Sequence, residues 1–124
     1  MSTILLSVKP QYAHKLIDGT KKFEYRKRLP QLNVSKILVY SSYPEKKIIG
    51  EIEIIGTISM KKSPLWEQTK CQAGISREEF RTYFKGCSLA HAYIVGNVRR
   101  YKTPLDLSSF NIGHAPQSFV YIND

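Results

Sequence analysis

Residues 19–30 read GTKKFEYRKRLP, five basic side chains and one acid with two aromatics between them. Taken as a loop, the stretch is a solvated charge run. Taken as a strand, it has two unlike faces, because successive side chains of a strand point to opposite sides of the sheet. Phe23 and Tyr25 then share an inward face, while Lys22, Glu24, Arg26 and Arg28 share the other. The aromatic pair anchors the strand in a core. The alternation of charges on the second face is too ordered for a casual surface. Two readings of Glu24 beside Arg26 stay open. One is an exposed ion pair worth roughly 0–1 kcal/mol. The other is a carboxylate that fixes the guanidinium as a fork aimed at a phosphate or a base edge.

Working outward, TILLSV is a short β-rich run. Pro10 then opens a helix with Tyr12, Ala13, Leu16 and Ile17 on one side and Gly19 as its stop. KILVYSSY is almost continuously apolar, as a central strand is. KIIGEIEIIGTISM alternates in its middle, and Gly50 and Gly56 mark bends of the kind that closing a small barrel requires. Ser63-Pro64 supplies an N-cap and first helical residue for LWEQTK. Ser76 and Glu79 make a capping box ahead of FRTYF, and Gly86 ends that helix. AHAYIVGNVRRY and QSFVYI return the chain to β. The order is β-α-β-β-β-α-α-β-β, an α+β domain whose glycine-broken strands suit a curled sheet better than a flat one.

The 124 residues make one domain, residues 1–124, long enough to bury its own core. With 19 basic against 10 acidic side chains, the net charge of +9 points to a polyanion or an anionic small molecule as partner. Cys71 and Cys87 lack CxxC spacing and read as buried or half-buried thiols in a reducing compartment. His14, His91 and His114 are scattered, so no metal site is expected. The opening run MSTILLSVKP is too short in apolar residues for a signal peptide, and no window approaches a membrane span. A cytoplasmic protein is the expectation.

At a larger scale, ILLSVKPQYAHKLIDGTKKFEYRKR, followed by ILVYSSYPEKKIIGEIEI and closed by APQSFVYI, resembles an ASCH domain. This is the activating-signal-cointegrator homology branch of the PUA-like superfamily. The resemblance rests on the turn SVKP, the segment DGTKKFEYRK, the small-residue turn YSSYP and the strand IIGEIEI, in order, over nearly the whole chain. It implies a small PUA-like β-barrel of five to six mixed strands, with two to three helices packed at its side and ends. It further implies a cleft between the first helix and the barrel, lined by Lys9, Lys21, Glu24 and Arg26 with Ser41 and Ser42, that accepts RNA or a nucleotide-like ligand. No cofactor is implied.

The residues themselves carry a physical version of that cleft. Lys9 stands at the start of the helix opened by Pro10, where an anion gains from the ammonium and the free amides together. Lys21 and Lys22 fall in the chain reversal after Gly19, and the hydroxyls of Ser41 and Ser42 end the third strand. Tyr40, Tyr43 and Trp66 read either as base-stacking platforms, worth about 1–3 kcal/mol per base, or as core packing. Core packing is the favoured reading for Trp66. Gln117 and Ser118 begin the last strand and return beside the cleft in the resemblance. Arg99, Arg100 and Lys102 read as a solvated strand end, and Glu51 with Glu53 as the wet face of a sheet.

Two functional classes follow. A binding module would hold single-stranded or structured RNA in a basic cleft, through phosphate contacts and one recognised base. An enzyme would act on RNA or on a modified nucleoside in the same cleft, with Lys21 and Glu24 as its acid/base pair. Some ASCH-like proteins resemble amidohydrolases that use a lysine, a threonine and a glutamate. Lys21 matches the lysine, but Glu24 stands where the threonine would be. The glutamate position falls near Gly74, with Glu78 and Glu79 the nearest acids. RNA binding is the leading expectation, and a ribonuclease or amidohydrolase-like enzyme is the alternative.

Overall fold

Seven residues, Ser2–Val8, form β1, and the chain passes through Lys9 straight into α1, Pro10–Asp18. A computed structural model describes residues 2–122. After α1 come β2 (Phe23–Arg26), β3 (Val34–Ser41) and β4 (Lys47–Met60). Then follow α2 (Lys62–Thr69), α3 (Arg77–Tyr83), β5 (Ala90–Leu105) and β6 (Phe119–Ile122). Single turns of 3-10 helix at Lys70–Gln72 and Leu107–Phe110 complete the path. The element order is the one read from the sequence.

The strands form one six-stranded mixed sheet in the order β2-β5-β4-β3-β1-β6. β1 runs parallel to β3, and the other neighbouring pairs are antiparallel. The backbone ladder leaves β2 and β6 at its two ends, so it does not close on itself. The sheet nevertheless rolls far enough for Arg26, on β2, to donate from Nη2 to the Ser7 carbonyl of β1 at 2.9 Å. Three strands separate β2 from β1 in the ladder, and a side chain spans the mouth that the backbone leaves open. The register slips along β4 at Ile48/Gly50, Ile52/Ile54 and Ile54/Gly56, the irregularities that let a long strand bend. At Gly50 a Cβ would stand 2.6 Å from the Arg99 carbonyl and 2.9 Å from Ile17 Cδ1, so the close seat of α1 on the sheet requires glycine.

Three apolar clusters hold this arrangement. Ala13, Leu16 and Ile17 of α1 pack on Ile4, Leu6, Ile37 and Val39 of the sheet. Phe80 and Phe84 enclose Tyr25 with Leu65, Ala90 and Ala92, and the Tyr25 and Phe80 rings meet edge to face at 5.1 Å. Leu5, Leu38, Tyr40 and Ile48 pack beneath β6 and the Leu107–Phe110 turn. Such geometry is worth more than burial alone, because the positive edge of one ring meets the negative face of the other.

Local details differ from the sequence reading in several places, and Gln117 and Ser118 precede β6 rather than begin it. β2 is only four residues long, so Lys22 and Arg28 lie outside the strand. α2 begins at Lys62 with Lys61 as its N-cap, which places Ser63 and Pro64 inside the first turn. Pro64 costs nothing there, because the first N–H groups of a helix have no intrahelical partner in any case. Cys71 is exposed rather than buried, since it lies in the 3-10 turn, and Cys87 is half-buried. The capping box holds as read: the Ser76 hydroxyl accepts from Glu79 N at 3.0 Å, and Glu79 Oε1 accepts from Ser76 N at 2.8 Å. Among the described residues no helix is long and apolar enough to cross a membrane.

Candidate functional site

Gly19 ends α1 in the left-handed region, φ 87°. The chain then turns back so that Lys21 N–H reaches the Lys15 carbonyl at 3.0 Å. This reversal sends the Lys21 side chain inward, where only 1% of it remains exposed. The segment after the 3-10 turn receives it. Three successive carbonyls, those of Gln72, Ala73 and Gly74, accept from Lys22 N–H at 2.9 Å, Lys21 Nζ at 2.6 Å and Lys15 Nζ at 3.1 Å. Gly74 has φ +68°, and a Cβ there would lie 2.6 Å from Cβ and Cγ of Lys21. Only glycine fits against the lysine stem.

The ammonium of Lys21 stands 4.8 Å from the centroid of the Tyr25 ring and 5.7 Å from that of Tyr12. These ring faces attract the cation, yet removal from water outweighs them. Burial pulls the Lys21 pKa down from 10.5 to about 8, with the Glu24 carboxylate opposing the shift. Glu24 is itself 5% exposed and accepts from Arg26 at both Nε, 3.1 Å, and Nη2, 2.8 Å. The polar face of β2 is therefore the lining of an interior cleft rather than a wet surface. In geometric terms the carboxylate holds the guanidinium in one orientation, and Ser7 O accepts from the same Nη2.

α1, β2 and α3 enclose a cleft of about 950 Å³, whose wall includes Lys9, Lys21, Glu24, Arg26, Ser42, Tyr43 and Gln117. Seven of the sequence-derived site residues are thus brought together. Four are not in that wall. Lys22 is turned away and tied through its backbone to Gln72 and Val95. Arg28 is exposed beyond β2. Ser41 is fully buried at the end of β3, with its hydroxyl lacking a hydrogen-bond partner among the described residues. Ser118 is exposed, and its carbonyl accepts from Ser7 N–H at 2.9 Å.

Tyr12, Glu79, Thr82 and Tyr83 also face the cleft, and sequence reasoning had assigned them elsewhere or passed over them. Tyr12 O–H donates to Glu79 Oε2, which joins α1 to the first turn of α3 across the cleft. Burial together with the Glu79 carboxylate raises the Tyr12 pKa to about 12, so its hydroxyl keeps its proton at neutral pH. The capping box concealed this second duty of Glu79: one oxygen caps α3 while the other reaches α1. Tyr40 is 3% exposed and packs in the core with one edge at the cleft. Tyr43 is 76% exposed at the rim. Trp66 lies outside the cleft, packed on Phe80 at 5.1 Å.

The wall is not the strongly basic one expected from the sequence: its charge is close to balance, with Lys9, Lys21, Arg26 and Lys46 against Glu24, Glu78 and Glu79. Most of the chain's +9 surplus lies on other surfaces. Glu51 and Glu53 are engaged structurally. Glu51 accepts from Tyr101 O–H at 2.9 Å and pairs with Lys36 at 3.3 Å, and Glu53 accepts from Asn97 N–H at 3.1 Å. Among the described residues no group of three His, Cys, Asp or Glu side chains is placed to hold a metal ion.

Comparison with known proteins gives a consistent picture. The family model described as the ASCH domain matches residues 6–104. Two proteins of Ureaplasma parvum, named ATP synthase subunit alpha and large ribosomal subunit protein uL22, are each 32% identical over 121 residues. The aligned region covers 97% of this chain but only 15% and 39% of those relatives. A Zymomonas mobilis protein named ASCH domain-containing ribonuclease is 28% identical over 92 residues, covering 73% of this chain and 62% of that protein. The crystal structure of ASCH from Zymomonas mobilis superposes with a TM-score of 0.91 at 24% identity, covering 98% of this chain and 88% of that one. At that identity the likeness speaks to the fold.

Proposed function

The chain belongs to the ASCH domain family, and on that premise we propose that the cleft between α1, β2 and α3 binds RNA, seating one or two nucleotides of a single strand. One observation carries this reading. Lys9, at the free N-terminal end of α1, and the Glu24-braced guanidinium of Arg26 converge on a space of about 950 Å³ that also offers the Ser42 hydroxyl and the Gln117 amide. That volume falls in the range of nucleotide-sized ligand sites, about 300–1,000 Å³. A near-balanced wall suits a ligand that is part anion and part neutral base, whereas a uniformly basic one would suit phosphate alone. Tyr43, open at the rim, is available to stack on a base.

The test is a filter-binding titration of oligouridylates at several salt concentrations. Each phosphate neutralised lowers the log–log salt slope by about 0.7 for a single strand. Lys9→Gln, at an exposed position, is expected to weaken binding several-fold and to make the slope shallower by about 0.7. Undiminished binding by this variant, or no binding at moderate salt by the parent, refutes the proposal.

A second reading, cleavage in the same cleft, is favoured by one specific feature, the Lys21 amine with its pKa near 8. A general base works best with a pKa near the working pH. Neutral Lys21 would take the proton of a 2′-hydroxyl, and the 2′-oxygen would attack the adjacent phosphorus. The 5′-oxygen would leave with a proton from the Lys9 ammonium, giving a 2′,3′-cyclic phosphate and a 5′-hydroxyl. Arg26 would oppose the charge growing on the phosphoryl oxygens. The name of the Zymomonas relative, a ribonuclease, agrees with this chemistry. The amidohydrolase alternative fits less well, because Gly74 leaves no room for a carboxylate against Lys21. Mass spectrometry of RNA after incubation distinguishes the outcomes: cyclic-phosphate ends support cleavage, and intact RNA limits the site to binding.

A further inference from the structure

α3 has a second working side. Glu78 and Thr82, one turn apart, face the cleft just described and also a separate groove of about 960 Å³ between α3 and α2. That groove contains Lys62, Arg77, Arg81 and Lys85, and none of the four has a carboxylate within ion-pair distance among the described residues. Of its acids, Glu67 is neutralised by Lys70 at 2.6 Å, which leaves Glu78 on the dividing ridge as the unpaired one. Arg77 and Arg81 stand one turn apart on α3, with about 6 Å between them, and Lys85 follows in the turn beyond Tyr83 on the same groove. At the floor, the half-buried Trp66 packs against Phe80 with a tilt of 48°, and its indole borders the groove.

We propose that this groove is a second RNA subsite, which takes the part of a single strand that leaves the cleft and crosses α3 at Glu78 and Thr82. The inference rests on the cleft being an RNA site, and it explains where a near-balanced cleft finds its electrostatic affinity. Neighbouring unpaired cations neutralise successive phosphates, and the half-buried indole beside them is an aromatic on which a base of any identity can stack. The two spaces meet at the ridge of Glu78 and Thr82, so a strand passing from one to the other crosses a single turn of α3. An acidic protein segment would match the cations but would have no need of that continuity with the cleft.

Trp66 is the single tryptophan of the chain, so its emission reports on this groove directly. Wild-type protein is titrated with a trinucleotide and a dodecanucleotide of uridine, following both binding and Trp66 fluorescence. The dodecamer is expected to bind about a hundredfold more tightly or better, beyond the roughly tenfold that its overlapping registers give by statistics alone, with a steeper salt slope, and it alone should change the emission. The triple variant Arg77→Gln/Arg81→Gln/Lys85→Gln should bring dodecamer affinity to within about tenfold of the trinucleotide's and reduce the slope by about 2. Its unchanged trinucleotide affinity certifies that the fold and the cleft are intact. Equal dodecamer binding by variant and parent, with silent Trp66 emission, overturns the second subsite while leaving the cleft reading standing. Dodecamer binding that quenches Trp66 with no trinucleotide binding supports the groove and removes the cleft. A response of Trp66 to polyglutamate but not to either RNA overturns the strand path in favour of an acidic protein partner.

Discussion

Replacing Lys21 with methionine should make the protein more stable at neutral pH and less stable at alkaline pH. Methionine keeps the length and the unbranched stem that packs on Gly74, so the cavity term is small. The electrostatic term follows from the depression of the Lys21 pKa from 10.5 to about 8. Keeping that amine protonated in the fold at pH 7 costs about 3 kcal/mol relative to the unfolded chain. Methionine removes this cost, but it leaves the Ala73 carbonyl without its 2.6 Å donor. An orphaned buried acceptor costs about 1–3 kcal/mol. The balance at pH 7 favours the variant by about 1 kcal/mol.

The pH dependence separates this account from a mere packing change. Between pH 8 and 10.5 the unfolded chain holds the Lys21 proton more tightly than the folded one, so stability of the parent rises with pH over that window. From pH 7 to pH 10 the parent should gain about 2.5 kcal/mol on the variant, which reverses their order. Urea unfolding of both proteins at four pH values from 7 to 10 reads the difference directly, with other titrations cancelling in the comparison. A gap that stays constant across this range would show that Lys21 titrates normally, and the derivation from burial would be wrong.

The remaining expectations concern the neighbours of Lys21. Glu24→Gln strips a half-buried guanidinium of its counter-charge and should destabilise the fold by about 2 kcal/mol in urea, since Arg26 stays where Ser7 O holds it. Gly74→Ala forces a Cβ to 2.6 Å from the Lys21 stem at φ +68° and should cost about 2 kcal/mol or more, with a parallel loss of RNA affinity. Glu78→Gln removes the unpaired acid on the ridge and should tighten dodecamer binding a few-fold, at a cost of no more than about 1 kcal/mol in stability from the first turn of α3. If RNA is cleaved, the rate should climb with pH up to about 8 and level off above it, as Lys21 loses its proton.

The element order was legible because each boundary carries a local signal. Pro10 and Gly19 bracket α1, and Ser76 with Glu79 opens α3. The glycines of β4 announced bending, and the slips at Gly50 and Gly56 are where the ladder loses register. Where the reading missed, the deciding contact was distant in sequence. Pro64 sits within α2 because Lys61 takes the cap, a choice that packing of Leu65 makes and that propensity does not. Tyr12 and Glu79 lie 67 residues apart, and no spacing rule joins an amphipathic helix face to a capping glutamate. Lys21 was placed in a chain reversal and in the lining of the cleft, but nothing local in the sequence signalled its full burial. Only the three carbonyls of residues 72–74 could have revealed that it points inward.

One cause underlies the part that the strand pattern did reveal and the part that it hid. Alternation correctly separated Phe23 and Tyr25 from Glu24 and Arg26, but alternation alone says that the polar face meets water. In a flat sheet it would. Here the ladder rolls until β2 comes opposite β1, and the charged face turns toward the interior. A lone carboxylate or guanidinium would be too costly there, so the two must occur together, and the guanidinium donates to the Ser7 carbonyl as well as to the carboxylate. Curvature therefore converts an ordinary amphipathic strand into a cleft wall with a preset cation. It follows that the i, i+2 pairing of an acid with an arginine, beside aromatics on the opposite parity, indicates a site only when other strands bear the glycines that let the sheet curl.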